Sequence, residues 1–372
     1  MVKKLDNVKK RILLTGGHAA SSAFVIIEEI RKEAKPWDVF WIGPESSFEG
    51  KKYLTLSSLY FPKYKVKTFS IVVGRIQRRW TRYTIFSILK IPIGFIHAFI
   101  LILKIKPDVV LSFGGFSAFP VVLVSYFLGI PIVIHEQTSV AGRANRFSSF
   151  FARKIAISRE TSKDYFPKNK IVLTGNPLPS DLIKKSSHSS LSKPKTIFVT
   201  GGQSGSSIIN DNVAEILPQL LKKYKVIHQT GLKDEDKFLE IRAKLEKKYL
   251  RNYFVYGVLD PKVYNKIFNQ SDILISRAGA NTVSKIVYSK KPSILIPLPI
   301  SYLNEQYRNA IFAEKYAGSL IINQSELTPN TLLEKVSYLS ENWSAIFKSV
   351  VKFENPDKFA AKKIISLLED YL

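Results

Sequence analysis

Three short stretches set paired glycines among small polar residues: Thr15-Gly16-Gly17-His18, Phe113-Gly114-Gly115-Phe116-Ser117, and Thr200-Gly201-Gly202-Gln203-Ser204-Gly205-Ser206-Ser207. Glycine lets backbone N–H groups approach a phosphate closely, and a helix starting just beyond adds unpaired N–H groups and a favourable dipole. A glycine in such a place can also serve only to turn the chain. None of the three matches GxxxxGK[ST] and none completes GxGxxG, which argues against a nucleoside-triphosphate loop and a dinucleotide fingerprint. His135-Glu136-Gln137 lines up an imidazole, a carboxylate and an amide, a set able to bind substrate or move a proton, or to serve as internal hydrogen bonding. Two further polar stretches, SRAGANT (276–282) and PLPISYLNEQYRNA (297–310), offer Thr282, Ser284, Glu305, Gln306 and Asn309 to ribose and sugar hydroxyls, although NEQ also reads as a capping sequence.

Each of these groups stands where an apolar run ends. RILLT (11–15), DVFWIG (38–43), DVVLSFGG (108–115) and PIVIHEQ (131–137) read as strands, with a helix over 23–32. Runs this apolar suit parallel strands covered on both faces. After Asn176-Pro177 a serine-rich, basic stretch reads as a linker. A second series then begins: KTIFVTGGQSGSS, KVIHQTG, NYFVYGVL, DILISRAGANT and PSILIPLP. The expected fold is α/β, two doubly wound Rossmann-like domains facing each other across a cleft, 1–180 and 181–344. A terminal helical segment, about 345–372, is free to pack back on the first. In such open sheets ligands bind beyond the carboxyl ends of the strands, which is where the glycine turns and polar endings fall.

The chain has 372 residues, enough for two cores, and its 56 Lys+Arg exceed 30 Asp+Glu for a net charge of +26. That excess calls for an anionic partner: nucleic acid, an acidic membrane surface or a phosphorylated substrate. No RNA-recognition or zinc-finger signature occurs and the basic residues are spread out, so no nucleic acid is expected. The absence of cysteine excludes disulfides and thiolate chemistry, and the five histidines show no paired ligand spacing, so no metal and no tightly held cofactor is expected. The N-terminal stretch has no apolar signal core, and a cytoplasmic protein is expected. Residues 71–106 are dense in Ile, Phe, Leu, Arg and Lys, but Lys90, Pro92, His97 and Lys104 interrupt any span. Within them Arg75, Ile76, Arg78, Arg79, Trp80 and Arg82 combine cations with an interfacial aromatic, as a segment lying on anionic lipid would. Phe95 to Lys104 reads equally as a core helix.

In order along the chain, PDVVLSFGGFSAFP, LGIPIVIHEQTSVAGRANR, TGNPLP, TGGQSGSS, HQTG and SRAGANTVSKIVYSKKPSILIPLPISYLNEQYRNA resemble glycosyltransferase family 28, the two-domain GT-B transferases of peptidoglycan synthesis. The resemblance runs almost end to end. It implies inverting transfer of N-acetylglucosamine (GlcNAc) from UDP-GlcNAc to a muramoyl-pentapeptide carried on a polyprenyl diphosphate, at the cytoplasmic face of the membrane by a peripheral enzyme. It implies an N-terminal acceptor domain and a C-terminal UDP-sugar domain.

Carried over residue by residue, Gly202, Gln203, Ser204 and Gly205 would hold donor phosphate. Ala280, Asn281, Thr282, Val283, Ser284, Lys285 and Gln306 would meet nucleotide and sugar, assisted by Glu305. Gly16, Gly17, Thr138, Leu259, Arg277 and Asn309 complete the donor set. Gly114, Gly115, Gln137 and Asn145 would face the acceptor. His18 would be the general base, with His135 and Glu136 beside the reacting sugars. The chain departs from the family pattern in its shortened first turn, in Phe116, Thr138 and Pro179, and in Lys285, which stands where an acidic residue usually reads the ribose. A transferase acting on another lipid, a non-catalytic GT-B membrane partner and a UDP-GlcNAc 2-epimerase are the alternatives the sequence leaves open.

Overall fold

The structure, a computed structural model, describes residues 9–17, 20–44, 55–74, 84–184, 196–202, 204–352 and 354–372. The chain forms two compact units, residues 1–177 with 359–372, and residues 178–358. Of the segment 345–372, only the part from Phe359 onward therefore groups with the first unit. The serine-rich stretch 185–195 lies outside the described residues.

The first unit is built on seven parallel strands: β1 (Lys10–Thr15), β2 (Trp37–Gly43), β3 (Lys67–Ser70), β4 (Val109–Ser112), β5 (Ile132–Glu136), β6 (Lys154–Ile157) and β7 (Ile171–Leu173), in the order β3-β2-β1-β4-β5-β6-β7. Successive side chains point to opposite faces of a strand, so each apolar run feeds two cores. Ile12, Leu14, Val39, Trp41, Val109 and Leu111 enter one core. Leu13, Phe40, Ile42, Val110, Ile132 and Ile134 enter the other. The helix Ala20–Lys32 covers the first face together with Ala360–Glu369, whose Ala361, Ile364, Ile365 and Leu368 sit in the same cluster. Lys35 Nζ, 2.5 Å from Glu369, ties that last helix down at its edge.

The second unit repeats the plan with β8 (Thr196–Thr200), β9 (Lys225–Gln229), β10 (Tyr253–Tyr256), β11 (Ile273–Ser276), β12 (Ser293–Leu295) and β13 (Leu320–Ile321), ordered β10-β9-β8-β11-β12-β13 and all parallel. Ile197, Val199, Ile273 and Ile275 face one core, Phe198 and Leu274 the other. In both sheets the chain builds outward on one side of its first strand and then crosses to the other. The crossing points, β1 beside β4 and β8 beside β11, are where an open α/β sheet binds ligand, beyond the carboxyl ends.

Candidate functional site

At the first crossing, two glycine turns meet. Gly17 N donates to Gly114 O at 2.9 Å and Phe113 N to Thr15 O at 2.8 Å. Gly114 and Gly115 have φ of 77° and 92°, a left-handed backbone that glycine adopts without strain. A Cβ on Gly115 would lie 2.8 Å from Gly17 N, so this close approach admits no other residue. The helix Ala118–Phe127 starts directly beyond, and its N-cap Ser117 makes no side-chain capping bond. His18, the expected base, lies outside the described residues.

β5 ends beside this crossing, and both of its terminal side chains are buried. His135 Nε2 lies 3.2 Å from Gly175 O, which can only accept, so Nε2 carries the proton; Gln137 Nε2 lies 3.3 Å from Nδ1, which accepts. Burial, with Arg159 adding repulsion, lowers the His135 pKa to about 4 against the raising effect of the Gly175 bond, and the ring is neutral at pH 7. Glu136 is ringed by donors. Oε1 accepts from Thr138 N at 3.1 Å and lies 2.9 Å from the Thr138 hydroxyl; Oε2 accepts from Gly142 N at 2.9 Å and Asn145 Nδ2 at 3.0 Å. Burial pushes its carboxyl pKa up, while the Asn145, Gly142 and Thr138 bonds hold it down.

The sequence allows His135 and Glu136 either a place beside the reacting sugars or a role in internal hydrogen bonding. Their hydrogen-bonding atoms are occupied within the chain, and as placed they fix the turn 137–142 and the start of the helix Arg143–Ser148. Thr138 and Asn145 are their direct partners. Asn145 Oδ1 has no hydrogen-bond partner and faces Gly114, where an added Cβ would meet it at 2.5 Å.

The second crossing is built the same way from different groups. Gly202 and Gly205 have φ of 85° and 72°, and Gly231 of the neighbouring turn has 82°. Gly202 N donates to Thr200 Oγ1 at 3.0 Å, and Thr200 Oγ1 to Gln229 Oε1 at 2.9 Å. The two turns interlock: a Cβ on Gly205 would stand 1.9 Å from Thr230 O, and one on Gly231 2.5 Å from Ser204 O. The helix Ser207–Lys223 follows, with Ser206 at its N-cap making no side-chain capping bond and with no acidic residue in its first turn. Gln203 lies outside the described residues.

Sequence reasoning missed the buried set beneath this turn. Asn210 Nδ2 donates to Thr230 O at 2.9 Å and to Asp234 Oδ2 at 2.8 Å. Its Oδ1 is therefore the acceptor 3.0 Å from His228 Nε2–H, and His228 Nδ1 accepts from the Tyr253 hydroxyl at 3.0 Å. Burial lowers the His228 pKa to about 3 despite the opposing Asp234 charge. His228 belongs to the HQTG motif, but its partners Asn210 and Tyr253 lie on two other segments.

At the end of β11, Arg277 donates to Ile296 O, Pro297 O and Gln324 Oε1, all neutral acceptors, and burial lowers its pKa to about 10. The helix Ala280–Ser289 begins after Gly279, whose position lacks any side-chain cap. Asn309 Nδ2 braces this corner through Ala278 O at 3.2 Å, and Gln306 Oε1 accepts from Leu298 N at 3.0 Å. Just before the helix Glu305–Ala317, Leu303 and Asn304 both take φ of 53°, a strained pair that turns the chain sharply. Lys285 Nζ reaches Asn265 Oδ1 at 2.7 Å and stands 4.5 Å over the Tyr264 ring. Leu259 and Val283, assigned to the donor from sequence, are core residues, 4% and 2% exposed, because Leu259, in the loop after β10, and Val283, in the helix Ala280–Ser289, both join the second core. Ala280, Asn281, Thr282 and Ser284 share that helix; Ser284 is buried. Among the described residues no three His, Cys, Asp or Glu side chains gather as a metal site would require.

Two parallel, doubly wound sheets, each with glycine turns and helix starts at its crossing, define a two-unit Rossmann-like α/β scaffold. Comparison with known families identifies it further. The model of the glycosyltransferase family 28 N-terminal domain matches residues 15–157, and that of the family 28 C-terminal domain matches residues 196–366. The UDP-N-acetylglucosamine--N-acetylmuramyl-(pentapeptide) pyrophosphoryl-undecaprenol N-acetylglucosamine transferase of Bacillus cytotoxicus is 33% identical over 346 residues, 89% of this chain and 91% of that one. The protein of the same name from Clostridium kluyveri is 31% identical over 372 residues, covering 97% and 99%. Among solved structures, Acinetobacter baumannii MurG superposes with a TM-score of 0.64 at 23% identity, covering 97% of this chain and 99% of that one, which establishes the shared fold. The chain belongs to glycosyltransferase family 28.

Proposed function

We propose that this protein transfers GlcNAc from UDP-GlcNAc to a lipid-linked N-acetylmuramyl-pentapeptide, the reaction after which its relatives are named. The observation that carries this reading is the end-to-end match, in order, to both halves of the family, with a glycine turn at the crossing of each sheet. In this scheme the second unit takes the donor. The N-terminus of the helix Ser207–Lys223 takes the diphosphate, beside the Gly202–Gly205 turn whose lack of side chains lets it approach, with Arg277 as a nearby cation. Thr282, Glu305 and Gln306 lie on the segments assigned to nucleotide and sugar, and no tightly bound metal or cofactor enters.

The acceptor belongs to the first unit, at Gly114–Gly115, with Gln137 and Asn145 adjoining. The acceptor hydroxyl attacks the anomeric carbon, the new C1–O bond forms as the bond to diphosphate breaks, and configuration inverts. His18 takes the hydroxyl proton. His135 and Glu136 act as positioning residues.

The membrane contact belongs to this reading as well. Among the described residues no helix is long and apolar enough to cross a bilayer. The helix Thr84–Ile105 buries Ala98, Leu101, Ile102 and Ile105 but exposes Ile93, Ile96, Phe99, Ile100 and Leu103. It packs on Ala118–Phe127, which packs on Arg143–Ser148, where Phe127 and Phe150 are 77% and 68% exposed beside exposed Arg143 and Arg146. An apolar face of this extent with flanking cations suits a peripheral seat on anionic lipid. The segment Arg75–Arg82, expected to make this contact, lies outside the described residues.

The test is transfer of radiolabelled GlcNAc from UDP-GlcNAc to a short-chain lipid-linked muramyl-pentapeptide, comparing the native chain with His18→Ala. Transfer by the native chain and its loss in the variant are expected. No transfer by a native chain that still binds UDP-GlcNAc would move the proposal to another acceptor.

A further inference from the structure

We propose that Lys233 is a direct contact for the donor diphosphate, set in place by the buried Asn210–His228–Asp234 network. This rests on the second unit being the UDP-sugar site and names a residue there that the family resemblance did not supply.

Lys233 is exposed, and its Nζ lies 3.1 Å from the hydroxyl of Ser207, the first residue of the helix Ser207–Lys223. Among the described residues it forms no ion pair. A cation beside a helix N-terminus meets the positive end of the helix dipole and is disfavoured there, the reverse of the usual placement of Lys in a last turn. Such a placement becomes favourable once an anion sits between the ammonium and the open N–H groups. The Gly202–Gly205 turn ends at that same helix start, so one anion would be reached by the backbone and by Lys233 together.

The lysine does not hang from an unconstrained loop. A single amide, Asn210 Nδ2, on the second turn of the helix, bonds Thr230 O at 2.9 Å and Asp234 Oδ2 at 2.8 Å, fixing the segment on both sides of Lys233. Asp234 N donates to Gly231 O at 3.2 Å, closing the turn between them. His228 then holds the Asn210 amide in the one orientation that allows both bonds, since its Nε2–H faces Oδ1 at 3.0 Å. A buried polar network is costly unless every member is satisfied; here each is, and the product is a defined position for residues 230–234. The neighbouring pair Lys237–Asp211, at 2.6 Å, supplies an internal control, because that lysine already has its counterion.

The experiment is a calorimetric titration of UDP and of uridine into the native chain, Lys233→Ala, Lys233→Arg and Lys237→Ala. Lys233→Ala should weaken UDP about tenfold, leave uridine unchanged and lose most of that difference at high salt. Lys233→Arg should recover most of the UDP affinity, and Lys237→Ala should match the native chain. Unchanged UDP affinity in Lys233→Ala overturns the proposal. So does an equal loss for UDP and uridine, or an equal loss in Lys237→Ala, since a general field effect would then replace a contact. A native chain that binds no UDP overturns the donor-site reading itself, and this inference with it. A native chain that binds UDP but transfers no GlcNAc leaves Lys233 to be judged by the same titration. Lys233 is exposed, so its replacement removes no core contact.

Discussion

The two crossings use one backbone device with different charge beside it. In the first unit, interlocked turns at Gly17 and Gly114–Gly115 adjoin a buried carboxylate, Glu136, held by donors from Thr138, Gly142 and Asn145. In the second, interlocked turns at Gly205 and Gly231 rest on the Asn210 amide, which His228 and the Asp234 carboxylate hold from either side, with Arg277 and Lys233 at the carboxyl end of the same sheet. Glycine clearance alone therefore does not decide what a turn binds; the groups beneath and beside it do. Both turns have a buried carboxylate beneath them, and what differs is the exposed charge beside them: Lys233 stands at the second.

The largest expected effect comes from filling the clearance itself. Gly205→Ala puts a methyl 1.9 Å from Thr230 O on a left-handed backbone, which should cost about 3 kcal/mol or more and abolish UDP binding. Thermal unfolding and UDP titration measure both. Glu136→Ala, which orphans Thr138 N, Gly142 N and Asn145 Nδ2, should cost about 3 kcal/mol and stop transfer while UDP affinity stays native. If UDP affinity falls as well, the division of labour between the two crossings is wrong.

Acid should expose the same contrast. His135 and His228 have folded pKa values of about 4 and about 3, below the ordinary 6.5, so the unfolded chain binds more protons in between. Their contribution is complete above pH 6.5 and is lost as pH falls toward 4, by about 2–3 kcal/mol each. Glu136 works in the opposite sense: its raised pKa makes stability fall as pH rises from the ordinary carboxyl value toward the folded one. Urea midpoints between pH 4 and 7 should therefore rise with pH overall, more weakly for the first unit than for the second. An equal slope for both units would remove Glu136 from the account.

Replacing Phe127 and Phe150 by Ser should lower binding to anionic vesicles about tenfold without changing UDP affinity. The smallest effect belongs to the exposed Lys237–Asp211 pair: Asp211→Asn should shift stability by less than about 0.5 kcal/mol.

Much of the fold was legible because apolar runs of strand length ending in glycine leave few alternatives to a parallel sheet. The glycine turns were legible for the same reason, since Gly114, Gly115, Gly202 and Gly205 hold backbone angles that other residues resist. What stayed hidden was side-chain direction and burial. His135 and Glu136 looked reactive because a strand end reads the same whether its last side chains face solvent or a tight turn. Leu259 and Val283 fell within motifs but point into the core. Asn210, His228 and Tyr253 come from three separate segments, and no spacing along the chain reveals that they converge. The terminal segment is expected to pack back on the first unit, and its residues from Phe359 onward do; where within 345–372 that packing begins was hidden, because an amphipathic stripe states only that a surface must cover it.

That helix carries a consequence for how the molecule is made. The first unit needs residues 359–372, yet all of residues 178–358 are translated before them. On the ribosome the second unit is complete while the first still lacks the helix that inserts Ile364, Ile365 and Leu368 into its core. The first unit therefore spends the synthesis of nearly half the chain with an open apolar groove, and a nascent chain arrested anywhere short of residue 360 displays that groove to the chaperones and proteases around it.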